Sequence, residues 1–333
     1  MPPSEGGTAI TRRRRLERRA GLVLLAALAL LGLPIHDVYT QNLLIMALLY
    51  AGLAQGWNIL GGYCGQVSLG HALYFGIGAY VSTLLFVRLG VPPGLGMFVA
   101  GGVAGAAALL VGWPAFRLSG HYYAIATLVV GEIGYLLFLN WDFLGGASGI
   151  TIPFKAESLI DLQFRTSKLP FFYLTLAYAA LAWTLAWLLE GSRLGFVWRA
   201  VRDDMVAARS LGVEILPSKL AAAAISGGLT GMGGAIYAQY VGYIDPDSVM
   251  TIEISILIAL PAVIGGVGTL WGPLLGAAVQ VPISELTRSY LGGSGSGVDL
   301  MIYGGLIMLV ALARPEGLFG LIAGKRRIDA GFS

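Results

Sequence analysis

Of 333 residues, 56% are hydrophobic and 12% are charged, where a soluble domain carries roughly 25% charged residues. So few charges exclude a water-exposed globular surface, and most of the surface must face lipid. A scattered formal charge of +3 excludes a nucleic-acid partner. One cysteine, Cys64, excludes a disulfide framework, and His36, His71 and His121 lie too far apart in sequence for a zinc site.

Residues 1–19 form a basic tail with Arg12, Arg13, Arg14, Arg15, Arg18 and Arg19. The apolar run 21–33 follows it in the order of a signal peptide, but no small-x-small cleavage site comes next. A retained first helix with its arginines in the cytoplasm is expected. A span needs about 20 apolar residues. Candidates lie at about 20–35, 42–60, 66–87, 94–116, 122–139, 169–189, 219–241, 251–266, 270–290 and 298–313. The fold class is therefore all-α: a polytopic bundle of about 10 transmembrane helices, with both termini cytoplasmic. That parity places 16 of the 21 basic residues inside, as the positive-inside rule requires. The domain boundaries that follow are a tail over 1–19, a membrane domain over 20–320 and a second cytoplasmic tail over 321–333.

Glycine is abundant, 49 residues in all, which suits helices that approach closely in lipid. Gly61, Gly62, Gly65, Gly70, Gly76 and Gly78 cluster near the third span. Gly265, Gly266, Gly268, Gly272 and Gly276 cluster near the ninth. Both blocks mark helix breaks or close crossings, and their shared GG-x-(x)-G pattern is a weak sign of internal symmetry. Pro261 and Pro273 are expected to break the helices on either side of the second block. Glu132, in the middle of the fifth span, is a functional candidate by its depth. It could line a substrate path or lock a helix contact, and the flanking Gly131 and Gly134 favour packing.

The loop 190–218 is expected inside. Within it, residues 196–211 read as one amphipathic helix, with Phe196, Val197, Ala200, Val201, Ala207, Ala208 and Leu211 on its apolar side. Gly212 is placed to end it, and Pro217 to stop it restarting before the next span. Such a helix either lies in the headgroups or presses into a groove on a partner.

This segment resembles the cytoplasmic coupling segment of LivM-type permeases of the branched-chain amino acid ABC transporter family. Its wording is close to G-x-x-W-R-A-x-R-[DE]-[DE]-x-x-A-A-x-x-x-G, carried here by Gly195, Trp198, Arg199, Ala200, Arg202, Asp203, Asp204, Ala207, Ala208 and Gly212. Residues 56–80, 121–133, 145–150, 227–238, 260–277 and 314–320 resemble further blocks of that family, in the same order. The resemblance implies an importer subunit of the bacterial inner membrane. A second permease, of LivH type, two ABC ATPase subunits and a periplasmic binding protein are the implied partners. ATP and Mg would be bound by the ATPases. The chain itself has no G-x-x-x-x-G-K-[ST] loop, so it is not expected to be an enzyme or to bind a cofactor. Arg199, Arg202, Asp203 and Asp204 are the candidate polar contacts to an ATPase. Gly62, Gly65, Gly70, Gly265, Gly266, Pro261 and Glu132 are candidates for the translocation path or for helix packing.

Other classes fit less well. Gly146-Ala147-Ser148-Gly149 matches the G-x-S-G of rhomboid proteases, but every histidine precedes Ser148. An ion-coupled secondary carrier would be expected to place several charges within its spans, and Glu132 is the one clear case. The resemblance leaves the solute open between branched-chain amino acids and urea, amides or organic acids.

Overall fold

Asp37 opens the first described helix, accepting hydrogen bonds from the Thr40 hydroxyl at 2.7 Å and the Thr40 N–H at 2.9 Å. The hydroxyl bond, then the N–H bond, holds the Asp37 carboxyl below its ordinary range. The computed structural model describes residues 37–154, 162–164, 167–291 and 317–323, with positions 21, 301, 304 and 305. The expected spans 20–35 and 298–313 lie outside the described residues but for those single positions, as does the tail 1–19.

The chain order is α1 (Val38–Asn58), running on as a π-turn over Ile59–Tyr63, then α2 (His71–Leu89), α3 (Pro93–Ala115), α4 (His121–Leu139) and α5 (Leu169–Glu190). Two short helices, α6 (Arg193–Asp203) and α7 (Met205–Ser210), precede α8 (Ile215–Val241). The remainder is α9 (Pro246–Val249), α10 (Ile252–Gly265), α11 (Gly272–Leu291) and α12 (Gly317–Ala323). Helix α12 runs across the boundary expected between residues 320 and 321. Strands β1 (Ile150–Thr151) and β2 (Tyr243–Ile244) pair antiparallel at the end of the bundle opposite α6 and α7.

Among the described residues, 7 stretches are long and apolar enough to cross a membrane: α1 with its π-turn, α2, α3, α4, α5, α8, and α9 with α10. The expected ninth span, α11, is helical but too polar for that set, since it carries Gln280, Ser284, Glu285, Thr287 and Arg288.

Helix α8 is the centre of the bundle because glycines let its neighbours touch its backbone. A Cβ on Gly78 of α2 would lie 2.0 Å from the Gly231 carbonyl oxygen, and one on Gly234 2.0 Å from that of Phe75. On the α3 side, a Cβ on Gly105 would lie 2.9 Å from the Ala224 oxygen. Close backbone approach of this kind replaces the hydrophobic drive that is missing between helices in lipid.

Two local expectations are corrected. The third span does not begin at 66: residues 64–70 are irregular, and α2 starts at His71. The Trp57 indole N–H donates to the Ser68 carbonyl at 2.8 Å, so by Ser68 the chain has doubled back alongside α1. Irregular backbone at membrane depth must be satisfied by protein. Here Leu69 N–H donates to Thr127 Oγ1 at 3.0 Å, Gln66 N–H to the Leu60 carbonyl at 3.0 Å, and Ala72 N–H to Ser255 Oγ at 2.8 Å. The buried His71 ring nitrogens lie 3.2 Å from Ser68 Oγ and 2.8 Å from Ser226 Oγ, bracing the same segment.

Pro261 does not break its helix either; α10 runs on to Gly265. A helix-interior proline removes the hydrogen bond to the carbonyl four residues earlier, here that of Leu257. Gln280 of α11 donates its side-chain amide to that carbonyl at 3.4 Å. Pro273 sits in the first turn of α11, where the missing N–H has no helical partner to lose.

Candidate functional site

The elbow between α5 and α8 is two helices rather than the single one expected over 196–211. At Asp204 the backbone turns to φ −152°, ψ 108°, and its carboxylate accepts from the Val206 and Ala207 N–H groups at 2.8 and 3.0 Å. An aspartate that caps a new helix competes with the ladder of the old one, so α6 ends and α7 begins. Gly212, at φ +84°, stops α7. Pro217 does not delay the next helix: α8 starts at Ile215, with Pro217 in its first turn, where a missing N–H is harmless.

The break changes which side chains are covered. Val201 and Ala208 pack with Ile215, while Phe196, Val206 and Leu211 stand 64%, 77% and 84% exposed. Phe196, Ala207 and Leu211, placed on the covered side by a continuous 3.6-residue period, face outward instead. Val206 was missed altogether. Only the capping potential of Asp204 signalled this in the sequence.

Most predicted contact residues build the elbow itself. Trp198 is buried, its indole N–H donating to the Ser218 carbonyl at 2.8 Å. Gly195 lies where a Cβ would come within 2.1 Å of the Leu189 oxygen. Arg199 donates to the Glu190 carbonyl at 2.9 Å and pairs with its carboxylate at 3.6 Å, tying α6 to the end of α5. Arg202, still exposed, donates to the Gly62 carbonyl at 3.0 Å and touches Asp203 at 3.4 Å. Asp203 and Ala207 remain on the open surface.

The two glycine blocks meet behind Arg202. Asn58 Oδ1 accepts from Gly268 N–H at 2.8 Å and its Nδ2 donates to the Thr269 carbonyl at 3.0 Å, joining the π-turn of α1 to the α10–α11 turn. A Cβ on Gly62 would lie 2.6 Å from Gly268 N, and one on Gly265 1.7 Å from the Gly272 oxygen. Gly266 has φ +123°. Pro261 faces Gly276, whose Cβ would lie 1.7 Å from the Pro261 oxygen, and Gly70 presses on the Thr127 oxygen, with a would-be Cβ at 2.4 Å.

Glu132 stands apart from this junction. Gly131 and Gly134 pack inward against Gly70 and Leu73, as their small size suggests, but the Glu132 carboxylate is on the opposite, exposed face of α4. It makes no hydrogen bond or ion pair among the described residues. Tyr122, Ile125, Val129, Ile133, Leu136 and Leu137 share that open surface.

Cys64 is buried, and its thiol is shielded from reagents in water. Maleimide labelling of Cys64 is expected to be undetectable in the folded protein and complete after unfolding in SDS; rapid native labelling would contradict the burial. No group of three or more His, Cys, Asp or Glu among the described residues could hold a metal ion. Ser148 lies in a 3-10 turn beside β1, where its carbonyl accepts from the Tyr243 hydroxyl at 3.2 Å.

A polytopic helical bundle with a short helical elbow on two interlocked glycine turns has the build of a membrane permease. The family model for the branched-chain amino acid transport system permease component matches residues 39–311, and the chain belongs to that family. It is 31% identical to the high-affinity branched-chain amino acid transport system permease protein LivM of Salmonella typhimurium, over 86% of this chain and 71% of the relative. Identity to LivM of Escherichia coli is 30%, over 99% of this chain and 80% of the relative. Identity to LivH of Escherichia coli is 25%, over 81% of this chain and 91% of the relative. No solved structure matches the chain.

Proposed function

We propose that this chain is one membrane-spanning subunit of an ATP-driven, binding-protein-dependent importer of branched-chain amino acids. The similarity to LivM permeases over 86–99% of the chain carries the reading. Similarity to both LivM and LivH supports a second, related permease as its partner, and two separate ATPase subunits bind ATP and Mg. The chain resides in the bacterial inner membrane. The elbow faces the cytoplasm, together with both termini, an orientation supported by the 16 of 21 basic residues on that side. Closure of the ATPase dimer moves the elbow, and the cavity between the two permeases switches its open side. About ten helices cross the membrane in this reading, the elbow being the coupling segment.

Glu132 belongs to the translocation path in the same reading. A carboxylate in the middle of a span costs several kcal/mol against lipid unless it pairs or meets water. The open face of α4 is therefore turned to the second permease or to the cavity between them, where the carboxylate can meet the ammonium group of a passing amino acid.

The test is uptake of labelled leucine in proteoliposomes holding both permeases and the ATPases, with binding protein supplied. ATP-dependent accumulation is expected, and Glu132→Gln should lower it about 10-fold, the size of one lost charged hydrogen bond. Uptake that persists without the ATPases and follows an ion gradient would make the chain a secondary carrier. ATP hydrolysis stimulated by urea, an amide or an organic acid, without leucine transport, would reassign the solute.

A further inference from the structure

We propose that Arg202 is the positioning residue through which movement of the elbow reaches the membrane bundle, because it is hydrogen-bonded to one glycine turn and packed against the other. The inference rests on the importer reading above. Two segments far apart in sequence converge on this side chain: the π-turn of α1 with the irregular stretch that follows it, and the α10–α11 turn. Nη1 donates to the Gly62 carbonyl at 3.0 Å. Carbonyls at a helix end lack an internal donor and carry the negative end of the helix dipole, so a guanidinium is well matched to that place.

The surrounding glycines bring their backbones close to the Arg202 side chain, which is 39% exposed. Gly65, at φ +71°, lies against the arginine stem, where a Cβ would come 2.5 Å from Cγ. Gly268, at φ +74°, lies against the guanidinium, where a Cβ would come 2.6 Å from Nη1. Asn58 ties the two turns to each other from behind. The GG-x-(x)-G pattern shared by the two blocks thus has a physical counterpart, a paired socket for one side chain.

Position along the elbow gives this socket its consequence. Arg202 precedes the break at Asp204 by two residues. Arg199 anchors α6 to α5, and Trp198 anchors it to the start of α8. Those ties hold the elbow to its own flanking helices. Arg202 instead reaches across to the end of α1 and to the α10–α11 turn.

The assay measures ATP hydrolysis and leucine uptake in the same proteoliposomes containing the whole complex. Arg202→Met keeps the stem and loses the donors. It is expected to lower leucine moved per ATP hydrolysed at least tenfold, with ATPase still bound in the wild-type amount. Arg202→Lys, which can still donate to the Gly62 carbonyl, should recover a large part of that ratio. Asn58→Ala, which frees the α10–α11 turn from the opposite side, should reproduce the loss. An unchanged ratio in Arg202→Met overturns the proposal. So does a parallel fall of uptake and hydrolysis with the amount of bound ATPase, which would return Arg202 to the role of an ATPase contact. Absence of ATP-driven uptake in the wild-type complex would instead overturn the importer reading from which the inference starts.

Discussion

Gly78→Leu is expected to abolish recovery of folded protein, while Gly102→Leu on α3 leaves it near the wild-type amount. A Cβ at position 78 would lie 2.0 Å from the Gly231 carbonyl oxygen and 2.5 Å from the Gly231 carbonyl carbon and Cα, whereas one at position 102 meets nothing within 4 Å. The obstructing atoms at Gly78 are backbone, so no rotamer change relieves the clash. Helices α2 and α8 would have to separate along a crossing that also includes Gly234, against which Phe75 and Ala79 are pressed. Overpacking of ordinary cores costs about 1–3 kcal/mol, and a crossing that must open on both sides should exceed that range. Size-exclusion profiles and thermal melts of detergent-solubilised protein read the difference. A monodisperse Gly78→Leu protein with unchanged melting would mean that α2 and α8 are not in backbone contact.

That crossing also shows what hydropathy can and cannot reveal. Lipid requires long apolar stretches with internally paired backbone, so the seven described spans stand out along the sequence within a few residues of their observed ends. The exceptions arise where a distant group replaces a local hydrogen bond. Residues 66–70 read as the start of a span because they are apolar enough, but Trp57, Thr127 and Ser255 hold that stretch and the start of α2 in place. Pro261 reads as a helix breaker until Gln280, nineteen residues later, supplies a donor to the stranded Leu257 carbonyl. Both partners are invisible to any local window. The glycine blocks were legible as close approaches from composition, yet their meeting around Arg202 depends on a turn more than 200 residues from Gly62 in the chain.

The elbow gives the second large effect. Val206→Asp combined with Leu211→Asp is expected to abolish co-purification of the ATPase subunits without lowering the thermal stability of the permease. Neither side chain supports the fold: they are 77% and 84% exposed, and the neighbouring Phe196 is 64% exposed. They are exposed apolar side chains on a segment that also carries the exposed Arg193, Asp203 and Arg209, a composition suited to a groove on a soluble partner. Removing two central anchors of an interface commonly costs about 2 kcal/mol or more each, which amounts to roughly a 10³-fold loss of affinity if the two add. Trp198→Ala should behave differently. Its indole is buried and bonded to the Ser218 carbonyl, so its loss lowers the melting temperature of the permease itself. Retained ATPase in the double aspartate variant, with the elbow newly released from lipid in a vesicle-flotation assay of the isolated segment, would assign Val206 and Leu211 to the headgroup layer. The elbow would then reach its partner through Asp203, and the coupling force would enter α6 beside Arg202 rather than through α7.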